Sequence, residues 1–206
     1  VLILVNGGQV AFDNLLDSPA AIIEAFNPSI TGPAAIAKHL FGELNRFGHL
    51  PYTLYPHKYI SQQPLNNFDM AKFPGRTYKY YSQPPLFPFG FGLSFSSFSL
   101  SCSHQKLVIS CKIHNQGQTF GEATVLVFHA AGDDVRSTAK HPVPLKQLRQ
   151  FDRVAVQPSQ FSEVNFTLGE EALMLIDENG KLRLYDGTHY LLLTLGTELT
   201  ATRSLG

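Results

Sequence analysis

Paired acidic side chains are the first place to look for acid–base chemistry, because one carboxyl group can hold a proton while its neighbour stays ionised. Over the first 93 residues the acids are Asp13, Asp17, Glu24, Glu43 and Asp69. Asp13 and Asp17 flank turns, and Glu43 sits beside Gly42 at a helix end, so these read as solvated positions. Asp133-Asp134 and Glu170-Glu171 are adjacent pairs. Neighbouring side chains on an extended chain point apart, so each pair reads as loop charge and not as a shared site. His39, His49, His57, His104, His114, His129, His141 and His189 never fall into a His-x-x-x-His spacing, and no Cys-x-x-Cys is present. No metal site or cofactor is expected from them. Gly7-Gly8 lacks the following Lys-Ser/Thr of a phosphate loop, and no Gly-x-Ser-x-Gly elbow marks a serine nucleophile. The densest polar and aromatic cluster is Arg76, Tyr78, Tyr80 and Tyr81.

The charge balance excludes some partners. Lys+Arg and Asp+Glu both number 16, so no basic excess exists to neutralise phosphates, and no nucleic acid is expected. The apolar run Val1-Leu2-Ile3-Leu4-Val5 stops at Asn6-Gly7-Gly8, far short of a membrane span, so no membrane is expected either. The run reads as a strand buried on both faces of a parallel sheet. A domain seldom begins inside its own buried strand, so further chain is expected upstream. Asn165-Phe166-Thr167 is an acceptable N-glycosylation sequon, whereas Asn27-Pro28-Ser29 is not, because proline sits in the middle.

Three regions emerge. Residues 1–58 alternate strand and helix. After the first strand, Ala21 to Phe26 is a second short strand, and a helix begins at Gly32-Pro33 with proline in its first turn. Ile36, Ala37, Leu40 and Phe41 form its apolar stripe, and Gly42 and Asn45 end it. About 58 residues is too short to close an α/β layer. Residues 59–93 interleave prolines, glycines and rings without periodicity, and read as a surface connector pinned by its aromatics. Residues 94–206 carry about seven short alternating runs with turn signals between them, the pattern of a β-sandwich. The fold class is therefore a partial α/β layer followed by an all-β sandwich.

Several of these segments come in a familiar order. Gly7-Gly8-Gln9-Val10 is followed by Gly48-His49-Leu50-Pro51-Tyr52-Thr53, then Tyr55-Pro56, then Pro74-Gly75-Arg76-Thr77-Tyr78, then Pro88-Phe89-Gly90-Phe91-Gly92-Leu93-Ser94. This order resembles the carboxy-terminal part of family 3 glycoside hydrolases. Tyr55-Pro56 to Met70 resembles the β-xylosidase branch more than the β-glucosidase branch. Leu148 to Val154 and Gly187-Thr188-His189-Tyr190-Leu191 resemble that family's fibronectin type III-like domain. At Asn27 to Gly32 the chain departs from the resembled pattern, where an aromatic-Gly-Tyr-Pro-Gly stretch is expected.

The resemblance implies an exo-acting retaining glycosidase for terminal β-D-xylosyl residues, with α-L-arabinofuranosyl or β-glucosyl residues as alternatives. Retaining chemistry needs two carboxyl groups about 5–5.5 Å apart. In the resembled family the aspartate nucleophile and the glutamate acid/base lie upstream, on a TIM-type barrel and an α/β sandwich domain. No catalytic residue is therefore expected in this chain, which should be inactive alone and should need that amino-terminal portion as its partner. Without it, unburied Phe26, Ile36, Leu40, Phe41 and Phe47 would cost on the order of 10 kcal/mol. The sandwich from residue 94 should survive alone. The rival reading is a stand-alone module that binds carbohydrate or protein. For Arg76, Tyr78, Tyr80 and Tyr81 two roles compete: a sugar-lining patch, or packing in which Arg76 pairs with a carboxylate and the tyrosines pin the connector. A secreted or vacuolar location follows from the resemblance, with Asn165 on the solvent face of its strand. Cys102 and Cys111 both point inward. With a hairpin turning near His104–Gln105 they stand about 13 Å apart, beyond disulfide reach, so two free buried thiols are expected.

Overall fold

The computed structural model describes residues 1–17 and 21–196, and the backbone of 199–205. Strand β1 (Leu2–Leu4) pairs in parallel with β2 (Ile22–Glu24), with Leu2 opposite Ile22. Helix α1 (Gly32–Leu40) follows, with Pro33 in its first turn. It ends at Leu40, and Gly42 takes φ +77°, a conformation that glycine adopts without strain. Asn45 lies beyond the cap and has another task, described below. This layer is open: no residue of α1 is buried, and Ile30 and Phe41 are 96% and 84% exposed. Two short parallel strands and one helix cannot cover their own apolar faces.

The connector holds two single-turn helices, α2 (Tyr59–Gln62) and α3 (Thr77–Tyr80), and one isolated bridge between Leu54 and Phe87. Its order comes mostly from rings, as the lack of periodicity implies. Tyr55 and Tyr59 stack at 3.9 Å, and both meet Tyr81 edge-on. Gly75 sits at φ +89°, and a Cβ there would run into the Tyr80 carbonyl, so the turn ahead of α3 requires glycine.

The remainder is a two-sheet sandwich with seven strands among the described residues. One sheet holds β3 (Phe98–Gln105), β4 (Val108–Asn115) and β7 (Phe161–Thr167), in the order β3-β4-β7. The other holds β5 (Gly121–Ala131), β6 (Gln147–Val156), β10 (His189–Thr194) and β11 (Leu199–Leu205), in the order β11-β10-β5-β6. Helix α4 (Asp133–Thr138) follows β5, and a small ribbon pairs β8 (Leu175–Ile176) with β9 (Leu182–Arg183). The core between the sheets contains Ile109, Ile113, Val125, Val127, Phe166, Leu191 and Leu193. Strand β5 is buried on both faces: Val125 and Val127 point into the core, while Leu126 and Phe128 point outward beneath the connector.

The expected free thiols are absent. Cys102 and Cys111 form a disulfide, with Cα atoms 4.1 Å apart. The β3–β4 hairpin turns at Lys106-Leu107, two residues beyond the expected place, so Cys102 lies directly opposite Cys111. Both side chains do face inward. Moving the turn by two residues shifts the register by four, an even number that leaves every side chain on its original face, so hydrophobic alternation cannot detect it. The turn itself carries no Gly, Asn or Asp signal; Lys106 simply adopts φ +53°.

Candidate functional site

The Arg76–Tyr81 segment is brought together by sequence and then dispersed by the fold. The Arg76 guanidinium donates to the carbonyls of Pro64 at 3.0 Å and Asn67 at 2.8 Å. The expected carboxylate partner is not there; among the described residues the salt bridges belong to other arginines. Asp69, close by in sequence, instead caps its own loop by accepting from the Ala71 and Lys72 amides. Tyr78 turns toward the sandwich, stacks on Phe89 at 4.3 Å and meets Phe128 edge-on at 5.7 Å. Its hydroxyl accepts from the Leu148 amide. Tyr81 is buried in the Tyr55–Tyr59 cluster. Burial pushes its phenol above the usual range, and Tyr55 adds to the shift. Tyr80 is raised too, by burial first and then by the negative charge of Asp69. Arg76 and Tyr78 thus hydrogen-bond to backbone, and Tyr78 and Tyr81 pack against the rings of different clusters.

A second constellation escaped the sequence reading. Asn45, 5% exposed, joins the first layer to the sandwich. Its amide donates to the Phe120 carbonyl, and its carbonyl oxygen accepts from the Phe95 amide and the Ser94 hydroxyl. Beside it, the Glu122 carboxylate takes Arg46 at 3.1 Å and Arg153 at 2.6 Å, and Arg153 also donates to the Arg46 and Phe47 carbonyls. A cavity of about 300 Å³ opens at this junction, lined in part by Phe47, His49, Phe98 and Glu122. Burial lowers the His49 pKa, and the positive charge of Arg153 lowers it further, against the opposing hydrogen bond to the Leu195 backbone. These residues come from segments far apart in sequence, so no spacing motif could reveal them.

Several carboxylates serve as acceptors for backbone amides. Asp13 accepts from the His57 amide, Glu24 from the Phe26 amide, and Asp177 from the Asn179 and Lys181 amides. Asp134 is not in an open loop as expected but starts α4, where its oxygens accept from Val135 and Thr188 amides; these bonds hold its pKa below the usual carboxylate range. Glu170-Glu171 open a single 3-10 turn. In none of these hydrogen bonds, among the described residues, does one carboxyl group meet another. The described residues also hold no group of three or more His, Cys, Asp or Glu side chains placed to bind a metal ion.

The structure does unite two histidines that stand 60 residues apart. His129 Nε2 lies 2.9 Å from His189 Nδ1, and His189 Nε2 lies 2.9 Å from the Tyr185 carbonyl. The carbonyl can only accept, so His189 carries its proton on Nε2. His189 Nδ1 is then the acceptor, and His129 must donate from Nε2. His129 Nδ1 is left buried with no partner. Burial drives the His129 pKa down to about 3, helped by the positive charge of Arg149 and then by His189 and Arg136. The two rings link strand β10 to β5, and the link ends on a backbone carbonyl.

Comparison with known proteins decides the family. Residues 1–95 match the glycosyl hydrolase family 3 C-terminal domain, and residues 125–195 match the fibronectin type III-like domain. This chain belongs to glycosyl hydrolase family 3. It is 31% identical to beta-D-xylosidase 1 of Arabidopsis thaliana, in an alignment that takes in 93% of the chain and 30% of that protein. It is 29% identical to a probable exo-1,4-beta-xylosidase of Aspergillus fumigatus, over 99% of the chain and 30% of that protein. Among solved structures, a GH3 exo-beta-xylosidase in complex with a xylobiose aziridine probe superposes with a TM-score of 0.87 at 24% identity, covering 98% of the chain and 30% of that structure. A beta-glucosidase from Kluyveromyces marxianus in complex with glucose superposes with a TM-score of 0.86 at 25% identity, covering 100% of the chain and 26% of that structure. The chain thus spans about 30% of the length of the curated family 3 relatives it matches.

Proposed function

We propose that this chain is the carboxy-terminal portion of an exo-acting retaining glycosidase that releases terminal β-D-xylosyl residues, with arabinofuranosyl and glucosyl residues as weaker substrates. The observation that carries the reading is its similarity, along nearly the whole chain, to proteins named as β-xylosidases. The nucleophile and the acid/base belong to the rest of the enzyme: Asp13, Asp69 and Asp134 cap loops, Glu122 pairs with arginines, and no hydrogen bond among the described residues brings two carboxyl groups together. The rest of the enzyme is also the partner that covers α1 and the apolar side chains around it. A layer with Ile30 and Phe41 this exposed argues against a stand-alone module. The location is extracellular or vacuolar, and the Cys102–Cys111 bridge supports it, since such bonds persist in oxidising compartments.

The test is to assay the full-length protein and residues 1–206 alone on the nitrophenyl glycosides of β-xylose, β-glucose and α-arabinofuranose. The expected result is hydrolysis by the full-length protein only, fastest on the xyloside. Preference for the glucoside would overturn the substrate, and turnover by 1–206 alone would overturn the placement of the catalytic carboxylates.

A further inference from the structure

The outer face of the β3-β4-β7 sheet, away from the core, has an unusual relief. Strand pairing sets Ser103, Ser110 and Asn165 in one row across the three strands, and Ser101, Lys112 and Glu163 in the next. All six side chains are exposed. The first row ends in two serines, whose short side chains leave a trough beside the long Lys112. The structure shows that trough as a depression of about 240 Å³, lined by all six residues. It runs from Asn165 across two strand spacings, about 10 Å. These six side chains give it polar groups, and Cys102 and Cys111 line it too. No hydrogen bond among the described residues occupies the Ser101, Ser103 and Ser110 hydroxyls, the Glu163 carboxylate or the Asn165 amide. A surface of unused donors and acceptors suits a hydroxyl-rich ligand.

Asn165 is also the acceptor residue of the Asn165-Phe166-Thr167 sequon. In β7, Val164 and Phe166 are buried while Asn165 and Thr167 face solvent, so both sequon side chains lie on the trough side of the sheet. We infer that Asn165 carries an N-linked glycan whose first sugars lie in this trough, over Ser110 and Ser103 and against Lys112. The co-reactant is a lipid-pyrophosphate-linked oligosaccharide. Asn165 Nδ2 bonds to its anomeric carbon, the bond from that carbon to phosphate oxygen breaks, the lipid pyrophosphate leaves, and the amide nitrogen gives up one proton. The tether selects the occupant: a glycan on Asn165 reaches the trough before any free ligand. Seated there, it covers the outside of the hairpin whose inner side holds the Cys102–Cys111 bridge. The neighbouring Lys112 reaches over the Phe161 ring at 4.5 Å, which keeps its ammonium at the edge of the trough.

The experiment uses the full-length protein secreted from a eukaryotic host, with and without enzymatic removal of N-glycans. Peptide mass mapping reads glycan occupancy at Asn165. Brief acetylation with a water-soluble amine reagent then reads the access of Lys112, with the exposed Lys181 as control. The expected result is an occupied Asn165, and Lys112 acetylation that rises several-fold on glycan removal while Lys181 is unchanged. Thr167→Ala should reproduce the deglycosylated state, and Thr167→Ser, which keeps the sequon, should not. If Thr167→Ala is not secreted, enzymatic removal from the native protein still gives the answer. An unmodified Asn165 overturns the modification, and an occupied Asn165 with unchanged Lys112 access overturns the seating.

Discussion

The Asn45 side-chain amide donates to the Phe120 carbonyl at 2.9 Å, across 75 residues of sequence. One short side chain thereby ties the end of the α/β layer to the entry of β5. Replacing it with alanine strands the Phe120 carbonyl and the Phe95 amide, each of which costs about 1–3 kcal/mol when buried and unpaired. Asn45→Ala should lower the melting temperature of the full-length protein by several degrees and speed hydrogen exchange at the Phe95 amide. An unchanged melt would show that water replaces the asparagine without loss.

The Cys102–Cys111 bridge closes a short loop, with a sequence separation of 9. In the chain-entropy account a loop of this size contributes about 2–3 kcal/mol, by restricting the unfolded chain. Alkylation under denaturing, non-reducing conditions should leave the mass unchanged, and reduction should expose two thiols. The Cys102→Ala/Cys111→Ala variant should unfold at a lower denaturant concentration by a corresponding amount. Two alkylated cysteines without reductant would contradict the bridge.

Much of this architecture is legible in the sequence, and the illegible parts share a cause. β1, β2 and α1 follow from Val1–Val5, Ala21–Phe26 and Gly32-Pro33, because each signal is local. The sandwich follows from alternation. Register does not follow: Cys102 faces Cys111 rather than Leu107 because a period of two is blind to a slip of four residues. Long-range polar contacts are equally hidden. Asn45 reads as a helix end, and His129 and His189 read as scattered histidines, until the fold brings their partners to them. For Arg76, Tyr78, Tyr80 and Tyr81, closeness in sequence leaves a sugar-lining patch and connector packing both open; only the fold shows Arg76 on backbone carbonyls and Tyr78 and Tyr81 against different rings.

The His129–His189 pair gives the sandwich an acid sensitivity. The His129 pKa falls from 6.5 to about 3 on folding, so between these values the unfolded chain binds more protons than the folded one. Stability from this group is complete above pH 6.5 and is lost as pH falls toward 3. Burial is the main cause of the shift, and the charged or titratable neighbours Arg149, His189 and Arg136 add to it. Each unit of displacement is worth about 1.4 kcal/mol. Thermal melts of the full-length protein between pH 7 and pH 4 should slope downward with acid. His129→Leu should be less stable at pH 7, because it strands His189 Nδ1, yet show a shallower slope. A parallel slope in the variant would assign the acid sensitivity elsewhere.

The connector decides whether the sandwich can stand alone. The main core is drawn from residue 98 onward, which by itself favours an independent unit. The outward face of β5 is different. Phe128 is fully buried beneath Phe89 at 6.0 Å and Tyr78 at 5.7 Å, both within the connector, with the Lys146 ammonium 4.6 Å from its ring. Leu126 is likewise 5% exposed beneath Gly90, where a Cβ would come within 2.5 Å of it. Backbone bonds reinforce the cover, since the Leu145 amide donates to the Lys79 carbonyl. Cutting the chain at residue 94 removes the connector's share of this cover and opens two large side chains to water. Each is worth about 1.5–3 kcal/mol on burial, so the loss approaches a large share of a small domain's stability. A piece spanning 74–206 should therefore be monomeric and should unfold at a distinctly higher temperature than 94–206, which should self-associate through β5. Tyr78→Ala in the longer piece should move it part of the way toward the shorter one. Equal stability of the two pieces would mean that the exposed face of β5 finds cover within the sandwich, and that the connector serves only to span the two layers.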